Sequence, residues 1–159
     1  MSDARWADVE ADIASAIRHF GNAVELYCEG GFEGDDLSSY RASMALMHAM
    51  QSGHTSAEAG LMRILQTLGE EHPTGADWHE VLIRRLARPL SGTLARPAIL
   101  PADIAAALQE TRRFRHRAMH SYGEFDASRF GPTLGAAECL RDGLWEAIRA
   151  FKDYIDPDA

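Results

Sequence analysis

Apolar residues recur at three- and four-residue intervals along most of the chain, and runs of β-branched residues are nearly absent. That pattern predicts amphipathic helices packed on a shared core. Trp6, Val9, Ile13, Ala16, Phe20, Val24 and Tyr27 form a first long stripe, which "CEGGFEGDD" interrupts at Gly30 and Gly31. A second stripe runs through Tyr40, Met47, Met50, His54, Ala57, Leu61, Ile64 and Leu68 and ends at Gly69. Gly53 and Gly60 lie inside it; each costs about 1 kcal/mol against alanine, which close helix contact can offset. "HPTGADW" reads as a turn, followed by a short helix through Trp78, Val81, Leu82 and Leu86. Residues 88–101 contain Pro89, Pro97 and Pro101 and predict a loop, with Pro101 suited to the first turn of the next helix. After a further helix, "YGEFDASRFGPT" precedes a last one bearing Leu134, Ala137, Leu144, Ile148, Phe151 and Ile155. The expected fold is therefore all-α: an up-and-down bundle of four main helices plus a short one, in one domain spanning residues 1–159.

The helix before the last departs from simple amphipathicity. With Ile104 at zero and about 100° per residue, Leu108, Thr111, Arg115, Met119 and Tyr122 all fall within about 60° of it. Arg115 thus stands in the middle of an apolar arc, while Arg113 and Arg117 point the opposite way. A guanidinium is seldom placed there unless it is paired or faces a cleft or a partner chain. His120 projects about 140° from Arg115 on an ideal helix. The two converge if the helix ends or distorts around Met119–His120, or if a second protomer completes the site.

Composition narrows the function classes. The 159 residues are 46% hydrophobic and 25% charged, with a formal net charge of −8. This is ordinary globular composition, and it argues against nonspecific coating of DNA, which needs a broad basic face. No segment approaches the ~20 apolar residues of a membrane helix. The acid-studded N-terminus does not resemble a secretory signal, so a cytoplasmic location is expected. Cys28 and Cys139 are far apart and read as buried free thiols. No zinc spacing, phosphate loop or serine nucleophile motif occurs, and no metal or cofactor is expected.

Against that acidic background, "RRFRHRAMHSY" at 112–122 gathers four arginines and two histidines. Histidine exchanges protons near neutral pH, and arginine holds phosphate oxygens through its planar fork. A surface ion-pair cluster is the structural alternative for Arg115 and His120, and a core-edge aromatic for Tyr122. His54 reads as a core histidine, and His72 and His79 as local hydrogen-bonding groups beside a turn.

Arg115-His116-Arg117-Ala118-Met119-His120 resembles the R-X4-6-H signature of the HEPN superfamily of small helical-bundle domains, and Tyr122 extends it to the R-X4-H-X-Y form of HepT toxins. The resemblance implies a HEPN-like fold and metal-independent RNA cleavage at the interface of a homodimer. It implies Arg115 and His120 as catalytic residues, with His116 and Glu58 as auxiliary candidates. Arg112, Arg113 and Arg117 are RNA-binding candidates. It also implies a small nucleotidyltransferase antitoxin that attaches AMP to Tyr122, as in a type VII-like toxin–antitoxin pair. The alternatives are a non-catalytic HEPN-type substrate-binding or interaction subunit of a nucleotidyltransferase, and a structural partner whose basic stripe docks an acidic protein.

Overall fold

The computed structural model describes residues 4–120 and 125–159. Five α-helices follow in order: α1 (Ala4–Glu29), α2 (Leu37–Leu68), α3 (Trp78–Leu86), α4 (Ala102–His120) and α5 (Gly131–Ile155), with a 3-10 turn at Ala127–Arg129 before α5. The stops follow local chemistry. Gly30 and Gly69 take positive φ (72° and 70°), where a side chain is strained, and end α1 and α2. Asp36 caps α2 by accepting the Ser39 backbone N–H at 2.9 Å. Pro132 sits in the first turn of α5, where its missing N–H costs nothing, so α5 starts earlier than its apolar stripe suggests.

The helices alternate in direction. Phe20 lies against Gly53 and Ile13 against Gly60, so α1 and α2 run antiparallel. Trp6 meets Asp156 while Gly21 meets Arg141, and Ile104 meets Gly143 while Glu110 meets Thr133. The α1–α5 and α4–α5 pairs are therefore antiparallel as well. This is the expected up-and-down bundle, with α3 laid across one side against α4 and α2. The stripes read from sequence fill the core: Trp6, Val9, Ile13, Phe20, Leu46, Met50, Leu61, Leu108, Leu144 and Ile148 are all buried.

Four side chains depart from the sequence reading. Tyr40, placed on the α2 stripe, is exposed, because α2 begins before α1 is there to cover it. Cys28 is exposed at the last turn of α1 and is not a buried thiol; Cys139 is half-buried. Met119, on the apolar arc of α4, is 63% exposed at the mouth of a cleft rather than packed in the core. The loop at 88–101 is fastened by an ion pair that periodicity could not show. Arg96 is buried and donates to Glu70 through Nε at 2.6 Å and Nη2 at 3.0 Å, and its Nη1 caps the Arg88 carbonyl at 3.0 Å. No helix among the described residues is long and apolar enough to cross a membrane.

Candidate functional site

The helical period that puts His54 and Glu58 one turn apart on α2 aims both at α4, where Thr111 and Arg115 repeat the same spacing. His54 Nδ1 lies 2.7 Å from Thr111 Oγ1, and Arg115 Nη1 donates to Glu58 Oε1 at 2.8 Å. Arg115 Nη1 also lies 3.3 Å from Thr55 Oγ1. The third wall is α3: His79, one residue into that helix, places Nδ1 2.6 Å from Glu58 Oε2. Its ring stacks on that of Trp78, centroid to centroid 3.6 Å, which fixes its plane. Three helices thus converge on one carboxylate.

Glu58 is buried, with a side chain only 7% exposed, and Arg115 is 14% exposed. Burial alone raises a carboxyl's pKa. Here the contacts with His54, His79 and Arg115 overcome it and bring Glu58 down from 4.5 to about 2. Glu58 is therefore ionised at any ordinary pH. His54 is also lowered, but for the opposite reason: burial, aided by the charges of Arg115 and His79 and opposed by Glu58, holds it below its usual range and favours its neutral form. The Thr111 hydroxyl has one proton. The hydroxyl donates it to the Leu108 carbonyl at 3.1 Å, so Thr111 Oγ1 accepts from His54 Nδ1–H, while His54 Nε2 lies 3.4 Å from Glu58 Oε2.

The Arg115 side of this cluster opens into a cleft of about 410 Å³, lined by Asp77, His79, Arg112, Arg115, His116 and His120 among others. α4 stays helical through His120, so no distortion at Met119–His120 turns His120 onto the Arg115 face. The His120 ring instead lies 4.4 Å from that of His116, one turn back on the same edge of the cleft. Both histidines are exposed. The cleft is where the two sides of α4 meet, with Arg115 at its floor and the histidine pair at its rim.

The other arginines of the motif separate. Arg112 lines the cleft and is steadied by a 2.7 Å bond from Nε to Gln109 Oε1. Arg113 and Arg117 lie away from it and share Glu110, at 3.2 and 3.4 Å. Arg117 lines a second cleft, of about 190 Å³, with Met47, Phe114, Phe125 and Phe130. Tyr122 lies outside the described residues. No group of three or more His, Cys, Asp or Glu among the described residues is arranged to hold a metal ion.

Sequence reading placed His79 beside a turn with local hydrogen bonds, and this is corrected. Its partners are Glu58 and Arg115, 21 and 36 residues away in sequence. Nothing in the local pattern carries that information, because α3 is short and the way it crosses α2 and α4 is set by tertiary packing.

Residues 45–155 match the family model described as HepT-like protein. No curated protein and no solved structure matches the chain.

Proposed function

The chain belongs to the HepT-like protein family, and from that premise we propose that it is a metal-independent endoribonuclease, the toxin of a pair neutralised by AMP transfer. The observation that carries this reading is the cleft itself. In a protein of net charge −8, it brings Arg115, Arg112, His116 and His120 to one concave surface, with Arg115 fixed by a buried carboxylate.

Cleavage of RNA needs two things from such a surface. The 2′-hydroxyl must lose a proton as its oxygen attacks phosphorus, and the departing 5′-oxygen must gain one. Negative charge on the phosphate oxygens must also be met as it develops. Arg115 performs the second task. Glu58 cancels most of its formal charge, so it acts through aimed N–H donors rather than net attraction, and an aimed donor costs no reorganisation during reaction. Arg112 adds charge at the cleft wall. His120 performs acid–base work, with His116 beside it orienting substrate. The products are a 2′,3′-cyclic phosphate and a 5′-hydroxyl. The residues of Arg113 and Arg117 type, paired to Glu110, contribute to RNA binding outside the cleft.

The active unit in this reading is a homodimer. Met119, exposed beside the cleft on a helix edge, is the kind of surface a facing subunit covers. Tyr122, two residues beyond His120, is the acceptor for AMP: its phenolic oxygen bonds to the α-phosphorus of ATP and pyrophosphate leaves. The added phosphate charge and nucleotide bulk then block the path of RNA. A cognate nucleotidyltransferase supplied with ATP and magnesium should add AMP to the parent chain and not to Tyr122→Phe. AMP found on another residue would remove Tyr122 from the account.

The ribonuclease test is cleavage in excess EDTA. His120→Ala and Arg115→Ala should each lose at least about 100-fold, the range expected for removing acid–base or charge-stabilising groups. Arg113→Ala should mainly weaken RNA binding. Equal cleavage by parent and His120→Ala, after removal of contaminating nuclease, would refute the assignment.

A further inference from the structure

The 2.6 Å contact between His79 Nδ1 and Glu58 Oε2 has a chemical consequence. A bare imidazole nitrogen and a carboxylate oxygen repel at that distance, so Nδ1 carries the proton and donates it to Glu58. The 3.0 Å approach of Arg115 Nη2 to the same nitrogen is then a contact between two donors, both answered by the one carboxylate. With Nδ1 committed, the nitrogen of His79 left to exchange protons is Nε2. His79 is 34% exposed and belongs to the cleft wall. Its plane is held by Trp78. A histidine oriented through Nδ1 by a buried, ionised carboxylate, with its other nitrogen at a cleft, is the arrangement that stabilises an imidazolium formed during reaction.

We propose that His79 is the general base of the cleavage site, taking the 2′-hydroxyl proton on Nε2 while His120 supplies the proton to the leaving 5′-oxygen. This assignment rests on the ribonuclease reading and divides its acid–base work between two helices. In the step, the 2′-oxygen bonds to phosphorus and the phosphorus–5′-oxygen bond breaks. One proton passes from the 2′-hydroxyl to His79, and one passes from the His120 imidazolium to the 5′-oxygen. Water then restores both protonation states.

The charges around His79 suit that division. On its inner side, Glu58 and Arg115 form a neutral pair, backed by His54. Across the cleft, α4 presents Arg112, His116 and His120, which favour an anionic substrate. On its own side, Asp77 and Glu80 flank it and oppose that field. The base and the acid thus come from two different helices, α3 and α4, that line one cleft.

The experiment compares His79→Ala and His79→Asn with the parent and with His120→Ala, on two RNA substrates. One has the ordinary 5′-oxygen leaving group, and the other has a 5′-sulfur leaving group, which needs no protonation. Asparagine keeps a donor near the Nδ1 position for Glu58 but has no second basic nitrogen. Both His79 variants should lose at least about 100-fold in cleavage of both substrates. They should also lose the rise of rate with pH on the acidic limb, while binding a 2′-O-methyl RNA as the parent does. His120→Ala should recover on the sulfur substrate. If His79→Asn cleaves within about threefold of the parent, His79 only positions Glu58 and Arg115, and the assignment falls while the ribonuclease reading stands. Rescue of the His79 variants by the sulfur substrate would make His79 the acid, which also overturns it. A parent chain that cleaves no RNA overturns both.

Discussion

Replacing Glu58 by glutamine tests the electrostatic centre of the site without changing its shape. The amide keeps the volume and can still accept from Arg115, but the charge that draws Arg115 and His79 together is gone. A carboxyl depressed from 4.5 to about 2 is worth about 3 kcal/mol of folding stability where it is fully ionised. That agrees with the 3–5 kcal/mol generally lost, by rough measure, when one partner of a buried pair is removed. The sign follows from the depression. Stability due to Glu58 is present above the pH where the unfolded carboxyl ionises, and it is lost as pH falls through 4.5 toward about 2. Glu58→Gln should therefore unfold about 3 kcal/mol more easily than the parent at pH 7, and the gap should shrink to about half by pH 3. Urea unfolding, which leaves ion pairs unscreened, measures this at both pH values. A gap that is the same at pH 7 and pH 3, or one under about 1 kcal/mol at pH 7, would show that Glu58 is not held ionised by its neighbours.

Two further stability predictions follow from packing and polar burial. A Cβ at Gly53 would stand 2.9 Å from the Phe20 ring, whereas one at Gly135 meets nothing within 4 Å. In thermal unfolding, Gly53→Ala should cost about 1–3 kcal/mol, while Gly135→Ala should add up to about 1 kcal/mol. Thr111→Val removes the hydroxyl that His54 Nδ1 meets at 2.7 Å in the core, so it should cost about 1–3 kcal/mol in urea unfolding.

What the sequence made legible was whatever depends on local period. The α1, α2 and α5 stripes repeat every three to four residues over long stretches, so their buried faces could be read directly. Gly30 and Gly69 marked stops because only a residue without Cβ enters the left-handed region easily. Arg115 stood out for the same reason, as a charge out of phase with the polar side of its helix, and it lies on buried Glu58. What could not be read depends on which helices meet. His79 depends on the angle at which α3 crosses α2 and α4, and Arg96 depends on a loop folding back to Glu70. The wheel kept Met119 on the apolar arc, because periodicity gives a residue's angle and not whether a neighbour packs on it or a cleft opens there.

The central claim is that the α4 cleft cuts RNA through its own 2′-hydroxyl with Arg115 and His120. The most direct measurement uses one end-labelled RNA and its twin carrying a single 2′-O-methyl group at the cleaved nucleotide, both incubated with the chain in excess EDTA. The account predicts cleavage of the first to a 2′,3′-cyclic phosphate end, no cleavage of the second at that position, and loss of at least about 100-fold with His120→Ala. Cleavage of the methylated twin at the same position, or activity that disappears with EDTA, would contradict it.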